Sequence, residues 1–367
     1  MRKLVKRILL IVNYIVIAAT LLALLSEHVS PARIWHIAFF GLLFPIFIIL
    51  NFLFLILWLY RKKYYFIFSL IVIVLSWGHI SRLIQLSGTK KQQQTENVIS
   101  IISYNAHIFN QLKNGKYEYT FDTIIEKLNA LNPDILCFQE YRVVSRSDKY
   151  NQEGLYKSFQ LLPNHYEHYT NTNSSYKFGL AIFSRFPIIN KGNIEFEKQT
   201  NGGCYADLLV QKDTIRVYNL HLQSIRLKKN TYSVLELEGL MSPNTQRMDD
   251  VKDISVRMRD AYKTRARQVD VMAEHIKNSP YPVILCGDFN DTPISYSYKK
   301  LSHKLKDAFI ESGKGIGTTY LGEFPSVRID YIFHSKNFKT IEYEAIDFEV
   351  SDHLPIISNI ATRKSIN

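Results

Sequence analysis

The 367 residues suit a membrane module followed by one domain of about 265 residues, which is large enough to bury a two-sheet core. The formal charge is +12, yet 11 of the lysines and arginines stand before position 98 against two acids, so the remainder is close to balance. That distribution argues against a broad basic face for nucleic acid, and three cysteines without paired spacing exclude a disulfide framework.

The chain opens with three apolar stretches, residues 8–25, about 34–59 and about 64–84, and a bilayer's hydrocarbon layer needs about 20 residues to cross. Three transmembrane helices are expected. The first also has the basic start of a signal peptide, but it is long for one and lacks a small-residue cleavage site. Gly78, His79 and Arg82 interrupt the third stretch near its end. They read as interfacial anchors, because no acidic partner is visible within the stretch. Arg2, Lys3, Lys6 and Arg7 precede the first helix, and Arg61, Lys62 and Lys63 separate the second from the third, whereas the first loop carries only Arg33. By the positive-inside rule the N-terminus is cytoplasmic, and the domain after the third helix is extracytoplasmic. The expected units are a membrane module at 1–86, a polar linker at 87–97 and a catalytic domain at 98–367.

Beyond the linker, short runs rich in branched and aromatic residues read as core strands at 98–103, 135–138, 180–183, 215–222, 283–286 and 329–333. Helical stretches are expected at 119–131 and 255–277. Polar motifs follow the runs: Asn105 in ISYNAH, Glu140 in ILCFQE, Asp288 and Asn290 in VILCGDFN, Asp330 in RIDYIF, and Asp352 with His353 in SDHLP. A lone Asp or Asn after a strand is usually a turn or cap. Five such motifs in order place four carboxylates, two carboxamides and a histidine where strands emerge. Carboxylate oxygens suit a hard divalent cation such as Mg²⁺, which keeps room for water and phosphate. The chemistry this points to is phosphoester hydrolysis on a layered α/β domain.

GDFN followed by RIDYIF and SDHLP, together with FGLAIFSRFPI at 178–188 and NLHLQS at 219–224, resembles the endonuclease/exonuclease/phosphatase superfamily over about 98–361. The resemblance implies a four-layer α/β sandwich, two packed β-sheets with helices outside. It implies Glu140 as the main Mg²⁺ ligand, with Mn²⁺ as a possible substitute, and Asn105 and Asp352 completing or supporting the metal site. It also implies that Asp288 orients or deprotonates the attacking water and that Asn290 holds a phosphate oxygen. Asp330 then fixes the ring of His353, which donates to the scissile phosphate. His221 is more similar to deoxyribonuclease I, sphingomyelinases and phosphatases than to abasic-site endonucleases, and a second imidazole there supplies a proton to the leaving oxygen.

His107, beside Asn105, could line the pocket but is expected to be structural; Arg185 is equally a residue facing phosphate or a turn anchor, while Tyr176 and Lys177 are candidates for a substrate loop. Segment 224–253, with Lys228, Lys229, Leu235, Leu237 and Leu240, reads as a solvated excursion or a flap beside His221. Three functions follow: an extracytoplasmic nuclease, favoured because nuclease activity is widespread in the family; a sphingomyelinase-like phospholipid or inositol-phosphate hydrolase; and an inactive membrane-tethered binding module. The intact residue set weighs against the last.

Overall fold

Strands that are apolar on both faces need cover on both faces, and this requirement shapes the domain after position 97. The computed structural model describes residues 2–86, 88, 97–113, 116–145, 147, 150–197, 201–225, 245–322 and 326–362. One sheet holds β1 (Val98–Asn105), β4 (Ile135–Val144), β5 (Asn164–Thr172), β6 (Tyr176–Ser184), β13 (Phe338–Ala345) and β14 (Ile356–Thr362), in the order β13-β14-β1-β4-β6-β5. The other holds β7 (Ile188–Ile194), β8 (Gly203–Val210), β9 (Asp213–His221), β10 (Val283–Asp288), β11 (Leu305–Asp307) and β12 (Asp330–Ser335), in the order β11-β12-β10-β9-β8-β7. A separate hairpin pairs β2 (Asn110–Lys113) with β3 (Lys116–Tyr119).

Side chains alternate across each strand. Ile101, Cys137, Cys286 and Ile332 meet between the sheets. On the outer face of the first sheet, Ile102, Leu136 and Phe138 lie under α6 (Phe121–Ala130) and α7 (Gln152–Ser158), which contribute Ile124, Leu128 and Leu155. On the outer face of the second, Leu220, Leu285 and Phe333 lie under α8 (Thr245–Lys277) and α9 (Tyr296–Leu301), which contribute Val269, Met272 and Tyr298. The result is the expected four-layer sandwich. A short helix, α10 (Ala308–Ser312), follows β11. Cys137, Cys204 and Cys286 are buried and unpaired, as small apolar residues.

A buried amide bridges the two sheets. Asn219 of β9 donates to the carbonyls of Phe138, at 2.8 Å, and Ala181, at 2.9 Å, and accepts from Gln139 Nε2 at 2.6 Å. Asn219→Ala removes the donor from two buried carbonyls and should lower stability by about 2–4 kcal/mol. Urea unfolding followed by tryptophan-independent far-ultraviolet circular dichroism reads this directly, and an unchanged midpoint would contradict the bridge's role.

The structure moves two expected helices. The one expected at 119–131 starts at Phe121, because Tyr119 ends β3. The one expected at 255–277 starts at Thr245, so the end of the supposed excursion is helix. Its first turns are too polar to show an apolar stripe, and an Asp253–Arg257 pair one turn apart supports them instead, at 2.8 Å. Lys228, Lys229, Leu235, Leu237 and Leu240 lie outside the described residues.

The N-terminal helices also differ from the simplest expectation. Among the described residues, only α1 (Arg2–Ser26) is a single helix long and apolar enough to cross a membrane, over Lys3–Ser26, and two bent pairs pass the same test when each is taken as one span. The second stretch is α2 (His36–Leu42) and α3 (Phe44–Tyr60), bent by 60°; the third is α4 (Phe66–Leu75) and α5 (Trp77–Leu83), bent by 61°. Pro45, in the first turn of α3, has no amide to continue the preceding helix. At the second break the Ser76 hydroxyl donates back to Val72 O at 2.7 Å, a bond that bends helices. Inside the bundle, Asn13 donates to Ser69 and accepts from Trp58 Nε1, and Asn51 donates to Thr20. Ile8, Ile15, Leu53, Ile56 and Val74 face outward, leaving an apolar outer surface.

Candidate active site

Each sheet contains one parallel pair, β1 with β4 and β9 with β10, and the remaining strand pairs are antiparallel. Parallel neighbours end on the same side, so Asn105 and Glu140 leave one sheet beside His221 and Asp288 leaving the other. Register aligns Asp288 with both His221 and Asp330. Gly287 makes the approach possible: a Cβ there would lie 2.0 Å from Leu220 O. Glu140 sits at an irregularity between Phe138 and Tyr141 with φ 50°, a backbone state that turns its side chain out of the strand's regular alternation. Asn290, with φ 52°, uses the tolerance of Asn for the left-handed region.

Asp288 is the hub. Its carboxylate accepts from Asn105 Nδ2 at 3.0 Å, Asn290 N at 2.8 Å and Asn290 Nδ2 at 3.1 Å. His221 Nε2 is 3.6 Å and His353 Nε2 3.9 Å from its Oδ2, and His221 Nε2 is also 3.8 Å from Glu140 Oε1. The Asp330 carboxylate holds His353 Nδ1 at 3.0 Å. His107 links the remaining member: its amide donates to Asn105 Oδ1 at 3.0 Å and its ring bonds Asp352 at 2.8 Å. All eight expected residues thus join one connected cluster.

Burial, then the nearby Asp330 charge, pushes the Asp288 carboxyl up to about 6 against the imidazoles of His353 and His221 and the amide of Asn290. Burial alone would pull His353 down, but the Asp330 and Asp288 carboxylates outweigh it and hold the imidazole up at about 10. For Asp352, burial acts upward and the His107 bond prevails, keeping the carboxyl below its usual range. The same bond raises His107.

Two donor sets come into question for a metal. Ligand atoms of Asp288, Asp330 and His353 lie within 4.8 Å of one another, but Asp330 already engages the His353 Nδ1 that faces it. Glu140 differs: among the described residues its carboxylate accepts no hydrogen bond, and its side chain is 27% exposed. Asp352, at 32% exposed, adds a second accessible oxygen donor. Hard, open oxygen donors beside a carboxamide fit Mg²⁺ or Mn²⁺.

Sequence reasoning undervalued the surroundings. His107 is at the site rather than merely structural. Thr319 Oγ1 accepts from the amides of Ile329 and Asp330, each at 3.1 Å, and the Tyr320 ring lies 5.0 Å from that of His353. Neither follows an apolar run, so the pattern that exposes the other residues passes over them. Of its two readings Arg185 takes that of a turn anchor, bonded to Asn132 at 2.8 Å and paired with Asp134 at 3.1 Å. Lys177 donates to Gln152 at 3.4 Å, and Arg142 lies over the Tyr176 ring.

Two packed mixed sheets with carboxylates, amides and imidazoles gathered at their strand ends define a phosphoester-hydrolase class. The chain belongs to the Endonuclease/Exonuclease/phosphatase family, whose pattern matches residues 102–353. Residues 6–83 match a separate domain of unknown function. Protein angel homolog 2 of Mus musculus is 25% identical over 227 residues, 59% of this chain; the match spans only 36% of that relative's length. Among solved structures, an endonuclease/exonuclease/phosphatase from Beutenbergia cavernae DSM 12333 superposes with a TM-score of 0.52 at 15% identity, covering 73% of this chain and 72% of that one. The human Nocturnin catalytic domain with bound sulfate anion gives 0.50 at 17% identity, covering 72% of this chain and 95% of that one. These two likenesses concern the fold.

Proposed function

We propose that the protein is a membrane-anchored, divalent-metal-dependent phosphoester hydrolase that uses direct water attack, with its site on the extracytoplasmic side. The observation that carries this reading is the simultaneous contact of Asp288 with Asn105, Asn290, His221 and His353. Glu140, with Asn105 and Asp352, would hold Mg²⁺ or Mn²⁺; when bound, the ion neutralises phosphate charge and polarises the ester. Asp288, poised near 6, takes the proton of the attacking water. Asn290 positions a phosphate oxygen through its amide. His353, oriented by Asp330 and cationic across neutral pH, donates to the phosphate. His221 Nε2 is buried and has no hydrogen-bond partner among the described residues, which suits transfer of a proton to the leaving oxygen.

Anchoring rests on the apolar bundle. The basic clusters Arg2–Arg7 and Arg61–Lys63 stand at one end of its alternating helices, and the chain leaves α5 toward the domain at the other. In cells whose outer membrane, where present, is permeabilised, added bis(p-nitrophenyl) phosphate should be hydrolysed. External protease should abolish that activity by cutting after position 97 while sparing the loop at 61–63. A protected domain would reverse the orientation, and failure of the purified protein to hydrolyse any phosphoester offered to it would overturn the reaction class.

A further inference from the structure

Two loops that carry or brace site residues end on the helical module. The first, residues 291–295, follows Asn290 directly. Its Ile294 is buried among Ala23, Phe44, Ile48 and Ile73, and its carbonyl lies 3.5 Å from Ser26 Oγ. Gly41 of α2 leaves room for that seat, since a Cβ there would stand 2.4 Å from Ile294 O. Behind the loop, Arg265 is 3.4 Å from Asp291 and donates to Gln223 O at 2.8 Å, two residues beyond His221. One turn earlier on the same helix, Tyr262 meets Phe39 of α2 edge-on at 5.7 Å.

The second loop, residues 315–321, leaves the end of the third apolar stretch and reaches the catalytic pair. Gln85 and Gly315 exchange backbone hydrogen bonds at 2.9 and 2.8 Å. Further along, Thr319 braces Asp330, Tyr320 meets His353, and Leu321 N donates to Asp352 O at 2.7 Å. A charged clamp closes the junction. Glu27, just past α1 and only 3% exposed, binds Arg82 and lies 3.3 Å from both His79 and Lys299 of α9. Arg82 O in turn accepts from Arg328 Nη2 at 2.9 Å. Glu27 is therefore the acidic partner of His79 and Arg82 that was not visible within the third stretch. It lies outside that stretch in sequence and reaches it only through the fold.

Large apolar side chains nevertheless remain uncovered along this junction. Leu86 is 87% exposed, Ile316 64% and Leu321 44%, the last two within the loop that touches His353. Taking the site as a phosphoesterase, on which this step rests, we infer that its substrate is a lipid: the headgroup phosphoester of a phospholipid in the leaflet where the helices end. With the helices spanning the bilayer as proposed, their ends hold both loops at its surface. Ile316 and Leu321 place exposed apolar side chains on the loop that runs from Gln85, at the end of the helices, to Asp352 at the site. The near-balanced net charge of the domain gives no overall attraction for a polyanion to compete with this arrangement. The chemistry balances as a hydrolysis. The water oxygen forms the new bond to phosphorus, one ester P–O bond breaks, Asp288 takes the proton of the water, and the leaving alkoxide takes one from His221.

Full-length protein reconstituted with its site outward in vesicles containing phosphatidylethanolamine, phosphatidylglycerol, phosphatidylinositol and sphingomyelin tests this. Phosphorus-31 resonance follows the lipids while bis(p-nitrophenyl) phosphate reports soluble turnover. At least one lipid should be hydrolysed. Replacing Ile316 and Leu321 together by Ser should lower the ratio of lipid to soluble-ester turnover at least about tenfold. Hydrolysis of the soluble ester and of single-stranded DNA or RNA, with every lipid intact, would overturn the lipid assignment and leave the phosphoesterase reading standing. Equal loss on lipid and soluble ester would overturn the role of the apolar rim. Hydrolysis of none of these would overturn the phosphoesterase reading itself.

Discussion

Glu140→Gln, Asp288→Asn and His353→Ala should each lower turnover of a soluble phosphodiester by at least about 10²-fold, with the protein still folded. Each change removes a different element. Glu140→Gln removes the charge of the open oxygen donor at the proposed metal site. Asp288→Asn keeps the shape and leaves one oxygen to accept from the Asn105 and Asn290 amides, but abolishes the base. His353→Ala removes the cationic donor and leaves Asp330 without its imidazole.

The Asp288 variant separates catalysis from stability through the sign of its shift. Its folded carboxyl titrates near 6, above its ordinary value of 3.8. The protonated form is therefore the one that folding favours, and this contribution is present below the ordinary value and lost as pH rises through about 6. At pH 8 the wild-type charge opposes folding. Asp288→Asn should accordingly melt no earlier than wild type at pH 8 while losing turnover. A melting temperature well below wild type with proportionate loss of activity would make Asp288 structural.

The strands and motifs that were legible share one property: burial on both faces forces a continuous apolar run, and a polar residue after such a run stands out. That is why β1, β4, β9, β10 and β12 were visible and why Asn105, His221, Asp288 and Asp330 could be placed at their ends; Glu140 was expected at the end of β4 and instead lies within it, at its irregularity. β5 was not visible, because its sequence, NHYEHYTNT, is polar, is nowhere fully buried and owes its strand form to pairing with β6. β7 likewise depends on β8. The Glu27 clamp was hidden for another reason. Its members are separated by up to about 270 positions, and ion pairs leave no periodicity in a sequence. The helix breaks before α3 and before α5 were also obscure, since hydropathy measures apolar length and is blind to a Pro or a back-bonded Ser until the helix bends.

Metal removal carries the other large effect, because the charge of a phosphoester cannot easily approach Glu140, Asp288, Asp330 and Asp352 without a compensating cation. Asp288 already resists ionisation, first through its burial and then through the neighbouring Asp330 charge, so further negative charge is unfavourable there. Full-length protein purified in detergent and stripped with chelator should hydrolyse bis(p-nitrophenyl) phosphate at background rate. Added Mg²⁺ or Mn²⁺ should restore turnover, and Glu140→Gln should need a higher ion concentration for half-restoration. Measuring that turnover against free ion concentration, with metal content determined on the same sample, is the most direct test. Saturable restoration with the Glu140 shift is the expected result; undiminished hydrolysis by metal-free protein would contradict the account.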